Sequence, residues 1–242
     1  MAMGRVAILF LALAFAAATP AAAQGLEEIP FAKKLQLAKV GDEDAQLAVA
    51  EAYETGANVK SPDPVEAAKY YRLAALQGNV EAQYRLARIV IKGPKGIKQD
   101  FATAAKLYQA AASKGHAEAM DGLGQLYQKG QGVAADPALA VEWYRKAAAL
   151  KLANAQNNLG VMYLNGKGVN RDLGEAFKLF EQAAAQGDHW GLNNLGGMYE
   201  MGWGTAKNRA KALEYYRQAA AAGNTAAFEN IGRLEAPAAS RN

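Results

Sequence analysis

The chain has 242 residues, a formal charge of +4 and no cysteine. The missing cysteine excludes disulfide stapling, thiol catalysis and cysteine-ligated zinc. The small charge is spread without like-charge blocks, which describes a solvated surface and gives no nucleic-acid footprint.

Residues 1–23 read as an export signal. Arg5 gives a short positive region, Val6 to Ala18 an apolar run, Thr19-Pro20 a break, and Ala21-Ala22-Ala23 a small-residue cleavage site before Gln24. The run is shorter than the roughly 20 residues a spanning helix needs, so no stable membrane insertion is expected after cleavage. Retention as an uncleaved anchor is the alternative. Without a twin arginine, general secretion is the simpler route, and without a cysteine a lipoprotein anchor is closed. The expected destination is a bacterial periplasm, with release from the cell as the second possibility.

Residues 24–43 read as a tail and a capping helix, Pro30 to Val40, closed by Gly41. Residues 44–224 then repeat five times. The clearest copy runs from Ala117 to Lys151 (AEAMDGLGQLYQKGQGVAADPALAVEWYRKAAALK). An Asp or Asn recurs at Asp63, Asp100, Asp136, Asp172 and Asn208, in steps of 37, 36, 36 and 36. Periods of this size mean stacked supersecondary units, none able to bury its apolar face alone.

Each unit opens with a helix, here helix A, carrying Leu-Gly-x-x-Tyr or a variant: Leu123-Gly124 with Tyr127, Leu159-Gly160 with Tyr163, Leu195-Gly196 with Tyr199. Spacings of three and four place these on one stripe. Glycine inside a helix costs roughly 1 kcal/mol relative to alanine, tolerable where a crossing helix leaves no room for a Cβ. Helix A stops at Gly56, Gly93, Gly130, Gly166 and Gly202, glycines suited to the left-handed cap. The pairs Gly130/Gly132, Gly166/Gly168 and Gly202/Gly204 lack the strand and spacing of a phosphate loop and read as turns.

The recurring Asp caps a second helix, B, with proline following at Pro64 and Pro137. Helix B carries bulky pairs at Tyr70-Tyr71, Leu107-Tyr108, Trp143-Tyr144, Leu179-Phe180 and Tyr215-Tyr216 and ends at Gly78, Gly115, Gly187 and Gly223. Lys151 stands where the third of these glycines belongs, which predicts a strained or differently closed turn. Residues 225–234 match a helix A without its helix B, so both ends are half-units that would cap the stack, and 235–242 read as a disordered tail.

The pattern A-x-x-x-L-G-x-x-Y-x-x-G-x-G-V-x-x-D-x-x-x-A-x-x-W/Y-Y-x-x-A-A-x-x-G resembles the Sel-1-like repeat, a relative of the tetratricopeptide repeat. It is nearly complete in the third and fourth copies. In the first two, Ala50 and Ala87 replace glycine and Val90 replaces tyrosine; the fifth departs at Gly191 and Thr205. The resemblance implies an all-α, right-handed solenoid of antiparallel helix pairs with helix A lining the concave face, and an adaptor role. Cysteine-rich relatives are linked to penicillin binding and β-lactamase activity, and their cysteines are missing here.

If helix A lines a groove, its register names the side chains that face it. One column runs Asp44, Glu81, Glu118, Asn154, Trp190; the next Leu47, Tyr84, Asp121, Asn157, Asn193, Glu229; a third Glu51, Arg88, Gln125, Val161, Gly197, Arg233. Such a groove is acidic towards its N-terminal end and amide-rich towards the other, suited to a peptide backbone. Trp143 falls in the core column. Trp190 replaces an acid or amide, and Trp203 sits in an A–B loop beside Met201. Aromatic anchors are enriched at interface hot spots. The expected partner-binding residues are therefore Trp190, Asn193, Met201 and Trp203, with Asn157, Asp121, Tyr84 and Arg88 along the same groove.

No catalytic, cofactor-binding or metal-binding set is expected. His116 and His189 occupy different repeat positions, and Ser61, Ser113 and Ser240 lie in no nucleophile motif. The reading is an exported, non-catalytic adaptor that binds a protein or peptide in its groove, in envelope organisation or signalling. A peptidoglycan- or β-lactam-processing protein and a secreted host-contact factor are the alternatives.

Overall fold

The computed structural model describes residues 25–26 and 29–236; the export signal read at residues 1–23 and the tail from 237 onward lie outside them. From Phe31 onward, twelve helices follow one another among the described residues: α1 (Phe31–Lys39), α2 (Glu43–Thr55), α3 (Pro64–Gln77), α4 (Val80–Lys92), α5 (Phe101–Ser113), α6 (Ala117–Lys129), α7 (Pro137–Ala149), α8 (Ala153–Asn165), α9 (Leu173–Ala185), α10 (His189–Met201), α11 (Arg209–Ala221) and α12 (Thr225–Glu235). Even-numbered helices are type A and odd-numbered ones type B. Each helix packs mainly on its two neighbours in sequence, which makes a solenoid. The last helix continues through Glu235, where a tail was expected to begin.

Local chemistry sets each hairpin. Every A helix in a full unit ends at the expected left-handed glycine, from Gly56 (φ 84°) to Gly202 (φ 74°). The side chains of Asp63, Asp100, Asp136, Asp172 and Asn208 accept from free amides at the start of α3, α5, α7, α9 and α11. The backbone N–H of each capping residue also donates back to helix A, to the carbonyls of Tyr53, Val90, Tyr127, Tyr163 and Tyr199. The A–B loop is thereby closed by two bonds from one residue. Asp63 and Asp100 lie ten residues after their carbonyl partners and the later caps nine, so the longer early period comes from one extra loop residue.

The helix A glycines make room for helix B aromatics. A Cβ on Gly124 would lie 2.7 Å from the Tyr144 ring, one on Gly160 2.7 Å from Phe180, and one on Gly196 2.8 Å from Tyr216. The second glycines do more than turn: a Cβ on Gly132 or Gly168 would collide with the backbone at the start of the preceding unit's helix B. They are close-packing points between units. Lys151 keeps the left-handed conformation of its glycine counterparts, at φ 63°.

Three buried tyrosines satisfy their hydroxyls on helix A. Tyr71 donates to Glu54, Tyr144 to Gln128 at 2.6 Å and Tyr216 to Glu200 at 2.8 Å. The same helix A column carries Leu164 in the unit where Phe180 replaces tyrosine. In three units a polar acceptor thus stands opposite a buried hydroxyl, and in the fourth both are absent; the second unit differs, with Ile91 in the acceptor column beside Tyr108.

Candidate functional site: the face formed by the A helices

Successive A helices approach closely enough for their side chains to bond directly, and this happens at every step. Arg85 on α4 reaches Glu54 on α2 at 3.4 Å, and His116 at the start of α6 meets Glu81 on α4 at 3.1 Å. Asn158 on α8 then donates to Asp121 on α6 at 2.9 Å, Asn194 on α10 to Asn157 on α8 at 2.8 Å, and Asn230 on α12 to Asn193 on α10 at 3.0 Å. Arg233 on α12 donates to both carboxylate oxygens of Glu200 on α10 through its two terminal guanidinium nitrogens. The A helices therefore form one side-chain-linked wall.

Tyr84, Arg88 and Asp121 come together there, lining a pocket of about 380 Å³ with Glu118, Gln125 and Asn154. The Arg88 guanidinium lies 5.6 Å from the Tyr84 ring centroid, and the His116 ring stacks on Tyr84 with centroids 4.5 Å apart. Asp121 is buried, and that burial raises its carboxyl above the ordinary range despite bonds from Asn158 and Gln125. Burial likewise raises Tyr84. The pocket thus offers an aromatic ring, a guanidinium and amides on a shelf flanked by carboxylates.

A second hollow of about 500 Å³ lies at the N-terminal end, where Asp44, Glu51 and Glu54 face Lys34 and Arg85. Burial raises the Glu51 carboxyl, with Arg85 acting against it. The acidic end read from the columns is present, with two basic side chains set among its carboxylates.

The remaining expected residues are dispersed. Asn157 is buried and its carbonyl oxygen accepts from Asn194, so it links helices. Asn193 is half-buried and accepts from Asn230 in the same way. Trp190 and Met201 are exposed at opposite ends of α10, eleven residues and about 16 Å apart. Eleven residues are close to three full turns, so Trp190, Asn193, Gly197 and Met201 form one stripe and no compact patch. Trp203 is half-buried and, like Leu173 and Phe177, packs against the core cluster at that end.

His116 was missed as a contributor. It occupies the capping column of helix A, with Asp42, Asn79, Asp188 and Asn224, and its Nδ1 accepts from the Ala119 amide at 3.2 Å. Its Nε2 therefore carries the proton and donates to Glu81. The column spacing alone could have revealed it. Among the described residues no cluster of three or more His, Asp or Glu could hold a metal ion, and no helix is long and apolar enough to cross a membrane.

The comparisons agree with this architecture. The Sel1 repeat family model matches residues 43–79, 80–116, 117–152, 153–188 and 191–224. The chain belongs to the Sel1 repeat family. Sel1 repeats typically serve as protein-interaction scaffolds, generally without catalysis of their own. A crystal structure of a protective antigen present in uropathogenic Escherichia coli strains, with an SLR fold, is 34% identical over 85% of this chain at a TM-score of 0.77. This chain spans only 44% of the length of that antigen. A Sel1 repeat protein from Oxalobacter formigenes is 26% identical, at a TM-score of 0.75 over 86% of this chain and 91% of its own. One from Klebsiella pneumoniae, 24% identical at 0.54 over 86% of this chain and 100% of its own, shares the fold. No curated protein matches the chain significantly.

Proposed function

We propose that this Sel1 repeat protein is an exported, non-catalytic scaffold that holds a segment of a partner protein against its A-helix wall, in the bacterial periplasm. The observation that carries the reading is the convergence of Tyr84, Arg88, Glu118, Asp121, Gln125 and Asn154 around one hollow. A ring, a guanidinium and amides can engage a peptide's carbonyls and one anionic or aromatic side chain, whereas nothing in the set is arranged as nucleophile and base. The apolar run and small-residue site at residues 6–23 support export. The Trp190–Met201 stripe extends the surface beyond the pocket.

The test is partner capture from a periplasmic fraction with wild-type protein, Arg88→Glu and Trp190→Ala. Wild-type should retain a defined protein that Arg88→Glu loses, with circular dichroism unchanged in both variants. Equal retention by Arg88→Glu would remove the pocket from the binding surface. Asn193→Ala is a poor probe, because it also unlinks α10 from α12.

A second reading has one observation in its favour, the 34% identity to a chain described as a protective antigen. In that case the same surface meets a host protein after release from the cell. Finding the chain in culture supernatant, with none in the periplasmic fraction, would support it.

A further inference from the structure

The C-terminal half-unit is open where a cap should be closed. In the A helices α2, α4, α6, α8 and α10 one column reads Gln46, Gln83, Met120, Gln156 and Leu192, and all five are buried. Its sixth member is Phe228 on α12, which is 62% exposed. Ile231 is only half-buried, whereas the leucines and valine of its column are buried. Gly232 has no atom within 4 Å of where its Cβ would stand, although Gly124, Gly160 and Gly196 are each filled by an aromatic ring. Terminal units of a solenoid need a polar outer face. This one places a phenylalanine where three earlier units have glutamine, one turn from an empty glycine notch.

Two occupants from this chain itself can be discarded. A head-to-tail stack would set α1 of another copy on α12, as a helix B. The bulky pair of helix B falls at Lys33-Lys34 in α1, so it has no ring to enter the notch. Residues 237–242 (PAASRN) contain no large apolar side chain to cover the face.

We propose that the occupant is α12 of a second copy, packed antiparallel about a two-fold axis at the level of residue 230. Each Phe228 then enters the Gly232 notch of the other chain. An isologous interface requires a surface that complements itself, and a knob and a notch one turn apart on one helix meet that requirement. The contact repeats the ring-on-glycine packing found inside three units of the fold. One eleven-residue helix per chain makes an interface below the standard size of about 1,600 Å², so the dimer is weak and concentration-dependent. The proposal is independent of the partner-binding reading.

Sedimentation velocity of the purified protein, from micromolar to sub-millimolar concentration, tests it. Wild-type should shift from monomer to dimer across that range. Phe228→Gln, which installs the residue of the earlier units, and Gly232→Ala, which fills the notch, should each weaken the dimer roughly tenfold or more. Both should keep the fold, and Gly232→Ala should raise the melting temperature, so that loss of dimer cannot be blamed on unfolding. A wild-type protein monomeric throughout, or a dimer that neither substitution loosens, would overturn the proposal.

Discussion

Gly160 and Lys151 illustrate opposite relations between a side chain and its space. Alanine at 160 gains about 1 kcal/mol of helix propensity, but its Cβ falls 2.7 Å from the Phe180 ring, which is fully buried. Overpacking of that kind costs about 1–3 kcal/mol. Gly160→Ala should therefore lower the melting temperature by roughly 2–6 °C, measured by calorimetry; an increase would show that the notch is slack. At 151 the strain is in the backbone. Lysine holds φ 63° where the four other units have glycine, an arrangement worth roughly 1 kcal/mol. Lys151→Gly should raise the melting temperature by about 2–4 °C, and no change would mean that the turn relaxes without cost. Both residues were legible in the sequence, because a repeat turns each unit into a control for the others. Trp203 was not legible in this way. A loop aromatic reads as exposed until the neighbouring unit is placed, and the core cluster at that end then half-buries it.

Between elements, the A-helix ladder accounts for what the columns could not show. Register assigns Asp121, Asn157 and Asn193 to the same face as Tyr84, and the structure keeps them on it. The distance between neighbouring A helices is set by stacking of whole units, so register cannot say whether a side chain there meets a ligand or the next helix. At these three positions it meets the asparagine of the next helix. Asp121 carries an acid where Asn157 and Asn193 carry amides, and burial raises that acid above the ordinary carboxyl range. A raised folded-state value means that the acid's contribution is complete below its unfolded pKa, about 4, and is lost as pH rises through the folded value. Asp121→Asn keeps an oxygen for Asn158 and removes the buried charge. It should therefore stabilise the protein at neutral pH by a few degrees, with the gain vanishing near pH 4. A gain that persists unchanged at low pH would assign the effect to something other than ionisation. Glu200 has the reverse sign. Arg233 holds its carboxyl below the ordinary range, so this pair supports the α10–α12 step at neutral pH and ceases to as pH falls through the folded value.

For the whole molecule, the fold was legible almost completely, because period, caps and notches all report nearest-neighbour geometry and a solenoid has little else. What remained hidden were properties of the ends and of the stacking distance, such as the exposure of Phe228, which one unit's pattern does not determine. The same locality makes a strong prediction about deletion. Removing residues 153–188 takes out α8 and α9 and joins Leu152 to His189. Most interactions cut have an equivalent waiting in register; the exception is the Asp188 cap of α10, since Leu152 offers no side-chain acceptor in its place. Asn194 then stands where Asn158 stood and can donate to Asp121, and Gly204 can meet the start of α7 as Gly168 does. Tyr144 keeps its notch at Gly124 and Tyr216 its notch at Gly196, since both lie within single units. Stability in such arrays is close to a sum of unit and nearest-neighbour contributions. The shortened chain should therefore unfold cooperatively, keep about ten-twelfths of the helical circular dichroism signal, and melt several degrees lower. A deletion of 18 residues, half a unit, should fail to fold because it places a helix A against a helix A with the glycine notch unfilled. If the two deletions behave alike, coupling between units is not local, and the stack would have to be treated as one indivisible core.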